Sequence, residues 1–126
     1  MEKHISLIEE IAPDELRKCY ASADVFFSPS IIEGLSLVSI EAIASGLPLV
    51  VTDVPGNIDI VENTKAGLVA RSGDIEHMSK QLVTFMDVET RNEYAKKARA
   101  GAKTYDWSAI AKQYIQVYEE ALNAIK

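Results

Sequence analysis

The stretch "SPSIIEGLSLVSIEAIASGLPLVV", residues 28–51, holds the end of one strand, a helix and the start of a second strand in a single run. Ser28 and Pro29 close the apolar segment "DVFFSPS" (24–30), because proline has no N–H to give to a ladder. "SLVSIEAIAS" (36–45) then sets Leu37, Ile40, Ile43 and Ala44 on one helical stripe, and Gly46 followed by Pro48 supplies its stop. "LPLVVT" (47–52) is a continuous apolar run, the pattern of a strand covered on both faces. Strand, helix and strand in this order predict a right-handed crossover and a parallel sheet.

The same alternation continues outward. "HISLI" (4–8) reads as a first strand, and "APDELRKCYASA" (12–23) as a helix opened by Pro13 and Asp14, with Leu16, Cys19 and Tyr20 at helical spacing. Beyond residue 52, "DVPGN" is a turn, "IDIVEN" one helical turn, and "AGLVA" (66–70) a last short strand. The fold class is therefore α/β, with a parallel sheet of about four strands and flanking helices. The final third, residues 71–126, reads as wholly helical. Asp74 caps a helix with Ile75, Met78, Leu82 and Phe85 on one stripe, "YDW" (105–107) interrupts the pattern, and a last helix runs from Ser108 toward Lys126. Trp107 and Tyr105 are expected to pack between the last helices, and Cys19 to be a buried thiol.

Composition excludes several function classes. A chain of 126 residues is one domain's worth, with hydrophobic and charged fractions of 48% and 25% that belong to an ordinary globular protein. A single cysteine forbids an intrachain disulfide, which agrees with a reducing, cytoplasmic setting. Glu41 interrupts the longest apolar region before it reaches spanning length, so the chain is read as not membrane-spanning, and no basic, apolar export signal opens it. A net charge of −6 argues against a nucleic-acid partner, which requires a basic face. His4 and His77 stand apart without companion ligands, so no metal site is predicted.

Two carboxylates in the opening stretch require a reason. Ligands of parallel sheets bind where strands end and helices begin, and "FFSPSIIEGLS" is such a junction, with Glu33 in its loop. The amides of Gly34, Leu35 and Ser36 then lie at a helix start, where unpaired donors and the macrodipole favour a phosphate, and glycine permits close approach. Glu41 follows Ser36 by five residues, roughly 7–8 Å along the axis, which matches the reach from a diphosphate to its ribose. Glu41 is also the only charged residue between Gly34 and Asp53, in a helix apolar enough to be nearly buried. Such a carboxylate demands a polar partner.

The segment "PSIIEGLSLVSIEAIASGLPLVVTDVPGNIDIVENTKAGLV" resembles the C-terminal, donor-binding domain of retaining family-4 glycosyltransferases of the GT-B fold. Glu33 and Glu41 fit that family's spacing of a glutamate, seven residues and a second glutamate. "DELRKCYASADVFFSPS" and "YDWSAIAKQYIQVYEEAL" resemble the segments before and after it, so the likeness covers nearly the whole chain. The resemblance implies a truncated Rossmann-like sheet within one partial domain over 1–126, its α/β part at 1–70 and its helical part at 71–126. By position, it makes Glu33 the catalytic-site residue that contacts the transferred sugar. Glu41 holds the ribose of a nucleotide-sugar donor, and the amides of Gly34, Leu35 and Ser36 meet the sugar and distal phosphate. No cofactor is implied.

Leu35 and Ser36 stand where the family often has Phe and Gly, and Pro55 and Asp59 alter a common Gly-Gly and glutamate. The family's N-terminal acceptor domain and two strand-helix units that precede "HISLI", with their diphosphate-binding Arg and Lys, have no counterpart in the chain. Lys3, Arg17, Lys18, Lys65 and Arg71 are not assigned to that task. Two readings follow: the donor-side half of a retaining transferase, inactive alone, or a non-catalytic assembly or nucleotide-binding module of the same fold. In both, the open sheet edge or the terminal helix is expected to meet a second copy or a partner chain. A receiver domain is excluded because "LPLVVTDVPG" lacks the required lysine.

Overall fold

The structure, a computed structural model, describes residues 2–125. After a 3₁₀ turn at Glu2–His4 come α1 (Pro13–Ser22), β1 (Phe26–Ser28), α2 (Leu37–Ala44), β2 (Leu49–Thr52), α3 (Pro55–Thr64) and β3 (Gly67–Ala70). Three helices follow: α4 (Ile75–Thr84), α5 (Val88–Ala102) and, beyond a second 3₁₀ turn at Lys103–Tyr105, α6 (Trp107–Ile125). The sheet is parallel in the order β1-β2-β3, with Phe26 opposite Leu49 and Leu49 opposite Gly67.

β2 is buried at all four positions, as its unbroken apolar sequence requires. Alternation along the strand sends Leu49 and Val51 into a core with Ala42 and Ile43 of α2, Ile60 of α3 and Ala98 of α5. Val50, also fully buried, faces the opposite side, where α4 packs on β2 and β3. Phe85, just after α4, is buried edge-on against Tyr94 of α5 at 5.1 Å between ring centres.

The stops are legible. Gly46 lies at φ 84°, its N–H donates to Ile43 C=O (2.9 Å) and the Leu47 N–H to Ala42 C=O (3.0 Å). This paired closure needs a left-handed residue after α2 and feeds the chain directly into β2. Asp74 caps α4 as expected, accepting the His77 N–H at 2.9 Å.

Four expectations are corrected. "HISLI" is not a strand: residues 5–8 have no regular structure, and Ile5, Leu7 and Ile8 are exposed. An isolated strand has no ladder to join, and this segment does not pair with β1, so the sheet has three strands. "IDIVEN" belongs to a ten-residue helix that Pro55 opens at its first position. Trp107 is 84% exposed, so it does not pack between the last helices, whereas Tyr105 does pack against the core. Cys19 is exposed on the outer side of α1.

α3 ends on Lys65 in the left-handed conformation, φ 55°, with its N–H on Val61 C=O. A β-carbon makes that conformation costly, by roughly 1–2 kcal/mol, and glycine removes the cost at the expense of a freer unfolded chain. Lys65→Gly is therefore expected to stabilise the chain by about 0.5 kcal/mol or more in urea titration; a lower midpoint contradicts this end geometry.

Candidate functional site

The junction between β1 and α2 is an eight-residue loop, residues 29–36, laid across the C-terminal end of the sheet. Its anchors are polar. The Ser30 hydroxyl shares a hydrogen bond with Ser28 (2.9 Å) and donates to Glu33 Oε1 at 3.2 Å. The Ser30 carbonyl accepts from the Thr52 hydroxyl at the end of β2. The Glu33 carbonyl accepts the Gly56 N–H, at the start of α3, at 3.3 Å. Glu33 is thereby held half-buried between β1, β2 and α3.

Ser36 is buried and its hydroxyl pairs with Ser39 at 2.8 Å, so it does not turn back to cap α2. Among the described residues, the amides of Gly34, Leu35 and Ser36 donate to no other group of the chain. Ser36 is the N-cap of α2, while Gly34 and Leu35 belong to the loop just before it, and all three lie beside the positive end of the helix dipole. Gly34 is exposed, its φ is not positive, and an added β-carbon meets nothing within 4 Å. Neither the backbone conformation nor the packing of the chain requires glycine there.

Glu41 departs from expectation in its burial. α2 buries Ser39, Ala42 and Ile43, while Leu37, Val38, Glu41, Ala44 and Ser45 lie on its open side. The apolar character of α2 belongs partly to exposed residues, so desolvation does not explain the carboxylate. A polar partner is nonetheless present: the Tyr20 hydroxyl of α1 donates to Glu41 Oε2 at 3.2 Å. The two residues line a groove of about 330 Å³ between α1 and α2, with Leu16, Arg17 and Ser45 on its walls. Burial raises the Tyr20 phenol above its ordinary value, and the Glu41 charge and hydrogen bond add to the shift. Glu33 and Glu41 share no partner: the first is tied to β1, β2 and α3, the second to α1.

The nearby cations are engaged locally. Arg17 pairs with Asp14 at 3.6 Å and Lys18 with Glu15 at 2.7 Å, both well exposed, and Arg71 pairs at 3.0 Å with the half-buried Asp74, each three residues apart. Such pairs are weak and add little to a fixed anion site. The unpaired donors of the junction are backbone amides.

Residues 1–104 match the family model of glycosyl transferases group 1. The chain belongs to this family. It is 43% identical over 100 residues to sulfoquinovosyl transferase SQD2 of Arabidopsis thaliana, with 76% of this chain and 20% of that protein aligned. It is 32% identical over 123 residues to D-inositol 3-phosphate glycosyltransferase of Corynebacterium glutamicum, with 97% and 29% aligned. Among solved structures, sucrose-phosphate synthase from Thermosynechococcus elongatus superposes with a TM-score of 0.83 at 26% identity, over 97% of this chain and 31% of that one. The chain thus spans a fifth to a third of the length of these glycosyltransferases, and it shares their GT-B type of fold. None of the described helices of this group 1 glycosyl transferase chain is long and apolar enough to cross a membrane.

Spacing alone placed Glu33 in the loop before α2 and Glu41 within α2, where the structure has them, but missed Tyr20 as the partner of Glu41. The only available signal was the tyrosine's place on the inward stripe of α1. In Glu41→Gln, the Tyr20 phenol is expected to titrate below its value in the parent chain yet above the ordinary 10.0, because burial is the larger cause. Ring-carbon NMR titration reads this directly; an unchanged Tyr20 contradicts the contact.

Proposed function

We propose that this chain is the donor-side portion of a retaining glycosyltransferase, binding a nucleotide-sugar for transfer to an acceptor hydroxyl and inactive by itself. The observation that carries the reading is the set of free amides at Gly34, Leu35 and Ser36, preceded by Glu33 and followed by Glu41 one and a half turns into α2. In this reading the diphosphate and sugar meet the amides, where the α2 dipole offsets the charge that develops on the leaving diphosphate. Glu33, held by Ser30, accepts hydrogen bonds from sugar hydroxyls. Glu41 accepts from the ribose, and the Tyr20 hydroxyl is the neighbour that must share or release it. The glycine at 34 leaves room for a ligand where the protein itself makes no claim on that space.

Calorimetric titration with UDP-glucose, ADP-glucose and GDP-mannose tests the reading. One of them is expected to bind the parent. Glu41→Ala and Gly34→Ala are each expected to weaken it by about tenfold or more. The melting temperature of Gly34→Ala is expected to be unchanged or higher, since Ala is the better residue in ordinary backbone. No binding by the parent, or undiminished binding by both variants, refutes the assignment.

A second reading, an assembly module, has its own observation. α6 buries no residue, and Tyr114, Val117, Tyr118, Leu122 and Ile125 present a strongly apolar face to solvent. The outer edge of β1 also pairs with no strand among the described residues. We propose that these surfaces draw two chains together. Light scattering at tens of micromolar is expected to give a dimer that Tyr118→Glu with Leu122→Glu returns to monomer; a monomeric parent contradicts self-association.

A further inference from the structure

We propose that the start of α3 is the template on which the Glu33–Gly34 turn is shaped, with Gly56, Thr52 and Asn57 as positioning residues for the donor sugar. The inference rests on the donor-site reading for its ligand but on separate contacts for its geometry. A β-carbon at Gly56 would collide with the Gly34 carbonyl oxygen and lie 2.6 Å from the Gly34 carbonyl carbon and 3.1 Å from the Glu33 carbonyl oxygen. These are backbone atoms, which cannot rotate away as a side-chain end does. The turn therefore rests directly on the bare backbone of α3, and the Gly56 N–H donates into it at the Glu33 carbonyl.

A second set of contacts reaches the same turn from below. The Asn57 Nδ2 donates to the Thr52 hydroxyl at 3.3 Å, and that hydroxyl in turn donates to the Ser30 carbonyl. The order of donors is forced: with its own proton given to Ser30, the Thr52 oxygen has only acceptor capacity left for Asn57. The Ser30 hydroxyl then donates to the Glu33 carboxylate. Asn57 and Thr52 are both fully buried, so their link is sheltered from water, while the links through Ser30 to Glu33 are half-buried. It also comes at a cost, because the Asn57 Oδ1 is buried without a hydrogen-bond partner. An apolar residue of similar volume avoids that cost, so stability alone does not favour Asn at this site. The gain lies in a fixed Ser30, and through it a fixed Glu33.

Two variants separate positioning from mere structure. Gly56→Ala pushes the turn outward. Thr52→Val combined with Asn57→Leu removes both members of the buried pair at similar volume and leaves the half-buried Ser30 carbonyl to water, so the cost to folding is expected to be modest. The double variant is expected to melt within a few degrees of the parent, and Gly56→Ala, whose β-carbon meets backbone, to melt lower while staying folded. In both, the amide NMR resonances of Gly34, Leu35 and Ser36 are expected to move, while Asp59→Ala on the exposed side of α3 leaves them in place. Affinity for the nucleotide-sugar that the parent binds, among UDP-glucose, ADP-glucose and GDP-mannose, is expected to fall by about tenfold or more. Unmoved resonances in both variants overturn the proposal, as does undiminished affinity when the resonances do move. If the parent binds none of the three, the donor reading falls, and the resonances alone decide whether α3 shapes the turn.

Discussion

The burial of β2 between two parallel neighbours is the constraint on which the rest of the structure depends. Four consecutive residues without exposed surface need a strand on each side and a layer on each face, and β1, β3, α2, α3, α5 and α4 supply them. Because the pairing is parallel, each connection must cross back over the sheet, so the strand ends converge on one edge with the helix starts that follow them. The loop 29–36 and the beginning of α3 meet at that edge. Thr52 closes β2 there, and its hydroxyl joins the strand to the loop. Core and candidate site are thus two ends of one four-residue segment.

What the sequence made legible follows from that constraint. The run "LPLVVT" and the Gly46 stop are unambiguous, since an all-apolar strand and a left-handed helix end are each tied to a short signal. "HISLI" carries an equally good local strand signal and still forms none, because a strand is completed by a partner that local sequence does not contain. Trp107 and α6 illustrate the same limit: an apolar stripe announces that a face is to be covered, not by what. The α3 helix is longer than the turn-rich run "DVPGN" suggests because Pro55, a turn residue, also suits the first position of a helix.

At the candidate site the chain-local part was readable and the three-dimensional part was not. The placement of Glu33 before α2 and Glu41 within it follows from spacing alone. The exposure of Glu41, its bond to Tyr20 and the rest of the turn on Gly56 arise from residues 21 and 22 positions away, joined only by the fold. The buried-carboxylate expectation for Glu41 failed for a specific physical reason: α2 is apolar on both its covered and its open side, so composition overstated its burial. The resulting picture is a loop of unpaired backbone amides flanked by two carboxylates, each held by a hydroxyl rather than by a cation.

The decisive measurement of donor binding at the β1–α2 junction is the mapping of amide resonances of the 126-residue chain during titration with UDP-glucose, ADP-glucose or GDP-mannose. Saturable shifts for one of these donors are expected to begin at Gly34, Leu35 and Ser36 and to extend to Glu41 and Tyr20. Shifts confined to another surface, such as the cleft around Arg71, His77 and Lys80, or no saturable shifts with any donor, would contradict that binding.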